Sequence, residues 1–173
     1  MSRKAAFGFL CVAFLLTGNS GAYGQLTKLE ADPETTAWAV QSETGRVFAA
    51  VKSKGEVHEF DSKTGKRIRS IPVEQDPEHL LIKGNILAVA CTKVSRMVLI
   101  NLKNNKVYGT VQLKGKGPYA LFCSKAANPY MYCICNSGDS SRDGEVFQID
   151  MKRKGQESRG SKIASLGSEM GAH

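Results

Sequence analysis

The chain has 173 residues, 42% of them hydrophobic, and a formal charge of +8. That length holds one domain and that apolar content supplies a core, so a wholly disordered chain is excluded. The basic residues are scattered through turns (Lys63, Lys66, Lys103, Lys106), with one denser stretch at Lys152-Arg153-Lys154, a pattern of solvated surface and not of a nucleic-acid groove.

The first element is Met1-Ser2-Arg3-Lys4, followed by the apolar run 5–16 and the small-residue stretch 17–24. This is the order of a secretory signal helix, with cleavage after Ala22 or Gly24. The run is short of the ~20 residues that span a bilayer, so a membrane anchor fits it less well. Cys11 makes a poor lipid-anchor site because Phe9 and Leu10, not small residues, precede it. The reading is an exported chain, secreted or periplasmic, with no stable membrane span after cleavage and no nucleic-acid partner. Loss of Arg3 and Lys4 lowers the charge by two. Residues 25–35 read as a linker or edge strand.

From residue 36 the chain repeats. EVHEFDSKTGKRIRSI (56–71) superposes without gaps on RMVLINLKNNKVYGTV (96–111), a shift of 40 residues that sets Val57 on Met97, Phe60 on Ile100 and Asp61 on Asn101. A third copy, EVFQIDMKRKG (145–155), puts Val146, Ile149 and Asp150 at those positions. Upstream, VFAAV (47–51), ILAVA (86–90) and YMYCI (130–134) are continuous apolar runs, which suits strands covered on both faces. Turn-forming triplets such as Glu43-Thr44-Gly45, Lys63-Thr64-Gly65 and Lys103-Asn104-Asn105 separate the strands.

A period near 40 residues with about four strands per repeat identifies propeller blades, at 36–73, 78–113 and 119–167, with 168–173 as a tail. In the second blade the strands fall near 79–83, 86–92, 96–102 and 106–113. A β-sandwich would account for short strands but not for the register. The expected fold is therefore all-β: a partial β-propeller of about three four-stranded antiparallel blades, preceded by the signal helix.

Gly117-Pro118-Tyr119-Ala120, then Met131 to Gly138, then Val146 to Asp150 resembles the repeat of the YVTN-type β-propeller family, as does Val47 to Val73 with its Ser62-Lys63-Thr64-Gly65-Lys66 turn. The resemblance runs over about residues 36–167. It implies a secreted or periplasmic propeller used for binding, for surface roles or, in some relatives, for catalysis. Closed propellers use about four to eight blades, so three would leave two blade faces uncovered. The expectation is a fragment of a longer propeller, or a chain that closes by self-association or against another protein.

Two groups of residues bear on chemistry. Within the loop 136–145, Asp139, Ser141 and Asp143 place side-chain oxygens at alternate positions ahead of Gly144, the spacing of a calcium loop, with Asp150 at the twelfth position. Against this, Arg142 brings a like charge to the cation, Phe147 occupies the ninth position, and Asp150 aligns with the blade residues Asp61 and Asn101. An ordinary polar hairpin loop is the plainer alternative, and calcium is the one cofactor suggested.

The second group is Cys91, Cys123, Cys133 and Cys135, an even number in an exported chain. Cys91 and Cys135 hold equivalent places in blades ~10 Å apart, too far for a bridge that needs Cα atoms ~4.4–6.8 Å apart. Cys133 and Cys135 share one strand face without the bend a bridge would need. Cys123, on the preceding strand of the hairpin, is the preferred partner of Cys133; otherwise all four are small buried apolar residues.

His58, His79 and His173 have no ligand-like spacing, no Gly-x-Ser-x-Gly elbow occurs, and Glu56 and Glu59 read as solvent-facing at a strand edge. Trp38 reads as core. The function expected is an exported, non-catalytic binding or scaffold module that uses loops at one end of its blades on a protein or cell-envelope ligand. The alternative is part of a propeller enzyme of lactonase, lyase or quinoprotein type, with a metal-dependent central-channel site.

Overall fold

The structure is a computed structural model, and the residues it describes are 11–12, 27–113, 117–123, 128–136, 144–151 and 160–166. Two short strands, β1 (Cys11–Val12) and β2 (Thr27–Lys28), pair with each other. Three four-stranded sheets follow. Blade 1 is β3 (Thr35–Gln41), β4 (Arg46–Val51), β5 (Glu56–Asp61) and β6 (Arg67–Pro72). Blade 2 is β7 (Pro77–Lys83), β8 (Ile86–Cys91), β9 (Arg96–Asn101) and β10 (Lys106–Gln112). Blade 3 is β11 (Gly117–Cys123), β12 (Tyr130–Asn136), β13 (Gly144–Asp150) and β14 (Gly160–Leu166). Strands adjoin in chain order and pair antiparallel, so each sheet is a meander and the whole is a partial β-propeller.

The continuous apolar runs are explained by what covers them. Alternation along β8 sends Leu87 and Val89 toward blade 1, where they meet Phe48, Val57 and Ile71. It sends Ala88 the other way, into a layer with Met97, Leu99, Met131, Cys133, Phe147 and Ile149 of blades 2 and 3. Both faces of a second strand are thus core, each large side chain adding about 1.5–3 kcal/mol. The last strand of blade 1 carries less: on β6 only Ile71 is buried.

Turn geometry follows the repeat. Gly55 (φ 60°) and Ser95 (φ 50°) close the turns after β4 and β8, and Gly65 (φ 72°) and Asn105 (φ 56°) close those after β5 and β9. Asp61 Oδ1 accepts the N–H groups of Lys63 (2.8 Å) and Thr64 (2.9 Å), and Asn101 Oδ1 accepts that of Lys103 (2.9 Å). The aligned Asp61 and Asn101 are therefore turn-formers. Ser95 occupies a left-handed conformation that costs a residue with a Cβ ~1–2 kcal/mol, while glycine costs ~0.5–1 kcal/mol in added chain freedom. Ser95→Gly is expected to raise stability by about 0.5–1 kcal/mol in urea unfolding; a loss would contradict the turn geometry.

Of the expected signal helix, only Cys11–Val12 is described, and these two residues form a strand against Thr27–Lys28 instead of a helical turn; the rest of the leader lies outside the described residues. After β2, Leu29 is buried with Val47, Ala49 and Phe60, beside Trp38, on the face of blade 1 that points away from blade 2. Gly65 permits this approach, since a Cβ there would lie 2.1 Å from the Lys28 carbonyl oxygen. Among the described residues no helix is long and apolar enough to cross a membrane.

Candidate functional site

Asp139, Ser141 and Asp143 lie outside the described residues, in the chain between β12 and β13. Asp150 is described, and it sits opposite Tyr130 at the far end of β13 from that loop. Six residues of strand, about 20 Å, separate it from Gly144, so it is no twelfth ligand of the loop. Among the described residues no group of three or more His, Cys, Asp or Glu side chains is arranged to hold a metal ion.

The cysteine pairing differs from expectation. Cys123 stands opposite Met131 and Cys133 opposite Leu121, two residues out of step, and among the described residues no disulfide joins Cys91, Cys123, Cys133 or Cys135. A bulge between Pro118 and Ala120 lies farther along β11 and does not set this pairing, because it moves the ladder only on the side away from Cys123. The closest thiols are Cys133 and Cys135, with Sγ atoms 3.7 Å apart, both wholly buried in the layer between blades 2 and 3. The hydrogen bond with Cys135 and burial together push the Cys133 thiol far up, and burial pushes Cys91 up to about 11.

These neutral thiols act as small core residues. The folded state holds the Cys91 proton more tightly than the unfolded chain does. Its contribution to stability is therefore complete below about pH 8.5 and is lost as pH rises through the folded value of about 11. Urea midpoints followed upward from pH 8.5 are expected to fall, and Cys91→Ala is expected to flatten part of that fall; a slope identical in the variant would refute the assignment.

Glu59 also departs from expectation. It is 2% exposed and points, with its cross-strand neighbour Phe48, toward blade 2. Arg46 Nε donates to Glu59 Oε1 (2.6 Å), and the same guanidinium donates to the Leu102 carbonyl oxygen (2.8 Å) and to Asn105 Oδ1 (2.5 Å), lying 5.1 Å over the Phe48 ring. Arg69 Nε adds a charge contact 3.1 Å from Glu59 Oε2. Leu102 and Asn105 belong to the turn between β9 and β10, so this buried charge cluster fastens blade 1 to blade 2. Its chemistry is structural: both Glu59 oxygens already face arginines. The repeat held a signal for it, because the 40-residue shift lays Glu59 over Leu99, a buried position.

The surface site that the fold builds lies at the end of the blades carrying the 3-10 turn Lys52–Lys54, the 73–76 connection and the 92–95 turn. Backbone hydrogen bonds tie these pieces together: Val73 N–H to Gly55 O (2.8 Å), Thr92 N–H to Asp76 O (3.0 Å) and Leu113 N–H to Ser95 O (2.9 Å). Thr36 Oγ1 donates to the Pro77 carbonyl oxygen (2.7 Å), joining the first strands of blades 1 and 2. Two open hollows of about 410 and 510 Å³ share Lys52, Ser53 and Asp76, and Lys93 lines the first of them.

Charge at this end is mixed and largely paired. Lys52 is bonded to Glu78, which lowers the Glu78 carboxyl and raises the Lys52 amine. Lys54 lies 2.6 Å from Asp32 and holds that carboxyl below its ordinary range. A third hollow, about 420 Å³, opens between the first strands and is lined by Ala37, His79, Leu80, Ala120 and Leu121. With one histidine among four apolar residues it offers contact area but no acid–base pair.

No family model matches the chain, and no curated protein matches it. Solved structures do. Hydrazine Synthase of Kuenenia stuttgartiensis superposes with TM-score 0.65 at 16% identity, over 90% of this chain and 40% of that one. The computationally designed Ika4 protein gives 0.63 at 16% identity, over 83% of this chain and 80% of that one. The beta-propeller domain of Myceliophteria thermophila Cps50 (Swd1) gives 0.60 at 14%, over 75% and 37%. At these identities the likeness is one of fold, and it identifies the sheets as propeller blades. The chain spans about two fifths of the length of the first and third of these structures.

Proposed function

We propose that this chain is an exported, non-catalytic binding or scaffold module that meets a protein or cell-envelope ligand with the loop end of its blades. The observation that carries the reading is the fixing of Lys52, Ser53, Asp76 and Lys93 on hydrogen-bonded turns above an apolar inter-blade layer. Groups held in place by folding lose little freedom on binding, which is what a rigid recognition surface requires. The mixed and mutually paired charges suit a polar protein surface better than a polyanion. The basic, apolar, small-residue order of residues 1–24 and the YVTN-like repeats support export. On this reading further blades, from a longer chain or a second copy, complete the ring.

The test is site-specific photo-crosslinking in the exporting cell. A photoreactive residue at Lys93 is expected to give adducts of discrete mass, whereas one at Val107, 51% exposed on the last strand of blade 2, is expected to give none. Equal labelling at both positions, or none at either, would refute the loop-end site. Mass spectrometry of the recovered chain tests export separately: a mature start after Ala22 or Gly24 is expected, and a retained Met1 would overturn it.

A further inference from the structure

Blades 2 and 3 meet in a layer with more sulfur than packing requires. Met131, Cys133 and Cys135 are alternate residues of β12, so they share its face toward blade 2, and all three are wholly buried. Met97 of β9 joins them from blade 2, also wholly buried, and Met151 and the half-buried Cys123 pack against the same cluster. The layer between blades 1 and 2 does the same mechanical work with Phe48, Val57, Leu87, Val89 and Ile100, and among the described residues Cys91 is its one sulfur. Matched positions make the contrast direct. Met131, Cys133 and Cys135 correspond to Leu87, Val89 and Cys91, and Met97 corresponds to Val57.

The two thiols stand as a pair of ligands stands. Their Sγ atoms are 3.7 Å apart. Two sulfurs bound at ~2.3 Å to one ion lie ~3.8–4.0 Å apart for tetrahedral to trigonal angles, so little movement is needed to admit it. Among the described residues no third His, Cys, Asp or Glu completes a set with them, which disfavours zinc, whose structural sites take about four such ligands. Thioethers surround the pair instead, and thiolate with thioether is the soft set that selects Cu(I). Met97 is the better placed of the two wholly buried methionines. It is the second residue of β9 after the 92–95 turn, and Cys135 is the last but one of β12 before the equivalent loop, so both lie at the same end of their sheets. Met131 lies at the opposite end of β12.

We propose that Cys133 and Cys135 bind one Cu(I) ion between blades 2 and 3, with the Met97 thioether as the third ligand. Binding breaks two S–H bonds and forms two Cu–S bonds; both protons pass to solvent and the copper stays Cu(I). Because the thiols are wholly buried, the ion enters as the blades close during folding, and once bound it ties blade 2 to blade 3. The site lies inside the blade layer and is independent of the loop-end reading.

The test is refolding of the mature chain from urea, without oxygen, against Cu(I) held by excess bicinchoninate, whose colour reports the copper it keeps. Wild type is expected to take one Cu(I) per chain and to show a higher urea midpoint when loaded. Cys133→Ala and Cys135→Ala are each expected to weaken Cu(I) binding at least about a hundredfold and Met97→Leu about tenfold. Met131→Leu and Cys91→Ala are expected to change it by less than about threefold, and the Met-to-Leu swaps keep volume and therefore the fold. The wild type alone supplies a second measurement that no misfolded variant can obscure. Between about pH 6 and 7.5 thiols hold their protons, so release of two is expected to strengthen binding about a hundredfold per pH unit. No copper drawn from the chelator, uptake undiminished in either cysteine variant, a dependence on one proton or none, or zinc bound in preference to Cu(I) would each overturn the proposal. Equal effects of Met97→Leu and Met131→Leu would overturn the assignment of Met97.

Discussion

Glu59→Ala is expected to cost the fold about 3–5 kcal/mol, the range for removing one partner of a buried ion pair. Arg46, whose side chain is 17% exposed, would keep its bonds to Leu102 O and Asn105 Oδ1 but lose the carboxylate that neutralises it. Glu59→Gln keeps the shape and one acceptor, so its loss is expected to be smaller. The informative variant is the double replacement of Arg46 and Glu59 by apolar residues of similar volume, which removes the charges together. It is expected to be less damaging than Glu59→Ala alone, since a well-packed apolar pair is often as stable as the ions it replaces. Urea unfolding with an unchanged dependence on denaturant measures all three. A loss below about 1 kcal/mol for Glu59→Ala would mean that the carboxylate is solvated in solution.

Phe48→Ala is expected to cost a similar amount, about 3–5 kcal/mol, for a different reason. Phe48 is wholly buried in the layer shared by blades 1 and 2, so truncation leaves a cavity and also removes the ring over which the Arg46 guanidinium lies. Ile68→Ala serves as the comparison: Ile68 is 45% exposed on β6 and is expected to change stability by no more than about 0.5 kcal/mol. Equal effects at the two positions would contradict the packing of blade 1 on blade 2.

The first prediction comes from a place where the repeat and the local residue disagree. The 40-residue shift puts Glu59 where blade 2 has the buried Leu99, while the run Glu56-Val57-His58-Glu59 invites a solvent-facing reading. The structure follows the repeat, and the cost of burying Glu59 is met by arginines from its own blade, Arg46 and Arg69. The cysteines show the converse. Their strands were readable, but the ladder register that sets Cys123 opposite Met131 and Leu121 opposite Cys133 was not. Bulges recur in the first strand of every blade, between Thr35 and Ala37, between Pro77 and His79 and between Pro118 and Ala120, and no one residue marks all three.

The sequence by itself determined that this protein is built of blades, because burial on both faces forces continuous apolar second strands and left-handed turns recur at a 40-residue spacing. Both demands fix the residue type at set positions along the chain, so they are written in the sequence. Only the tertiary structure decided which thiols meet, that Glu59 lies under arginines between two blades, and that Phe122 and Tyr132 stack. Those outcomes depend on register and on what packs opposite, quantities set by pairs of distant residues that no single strand records.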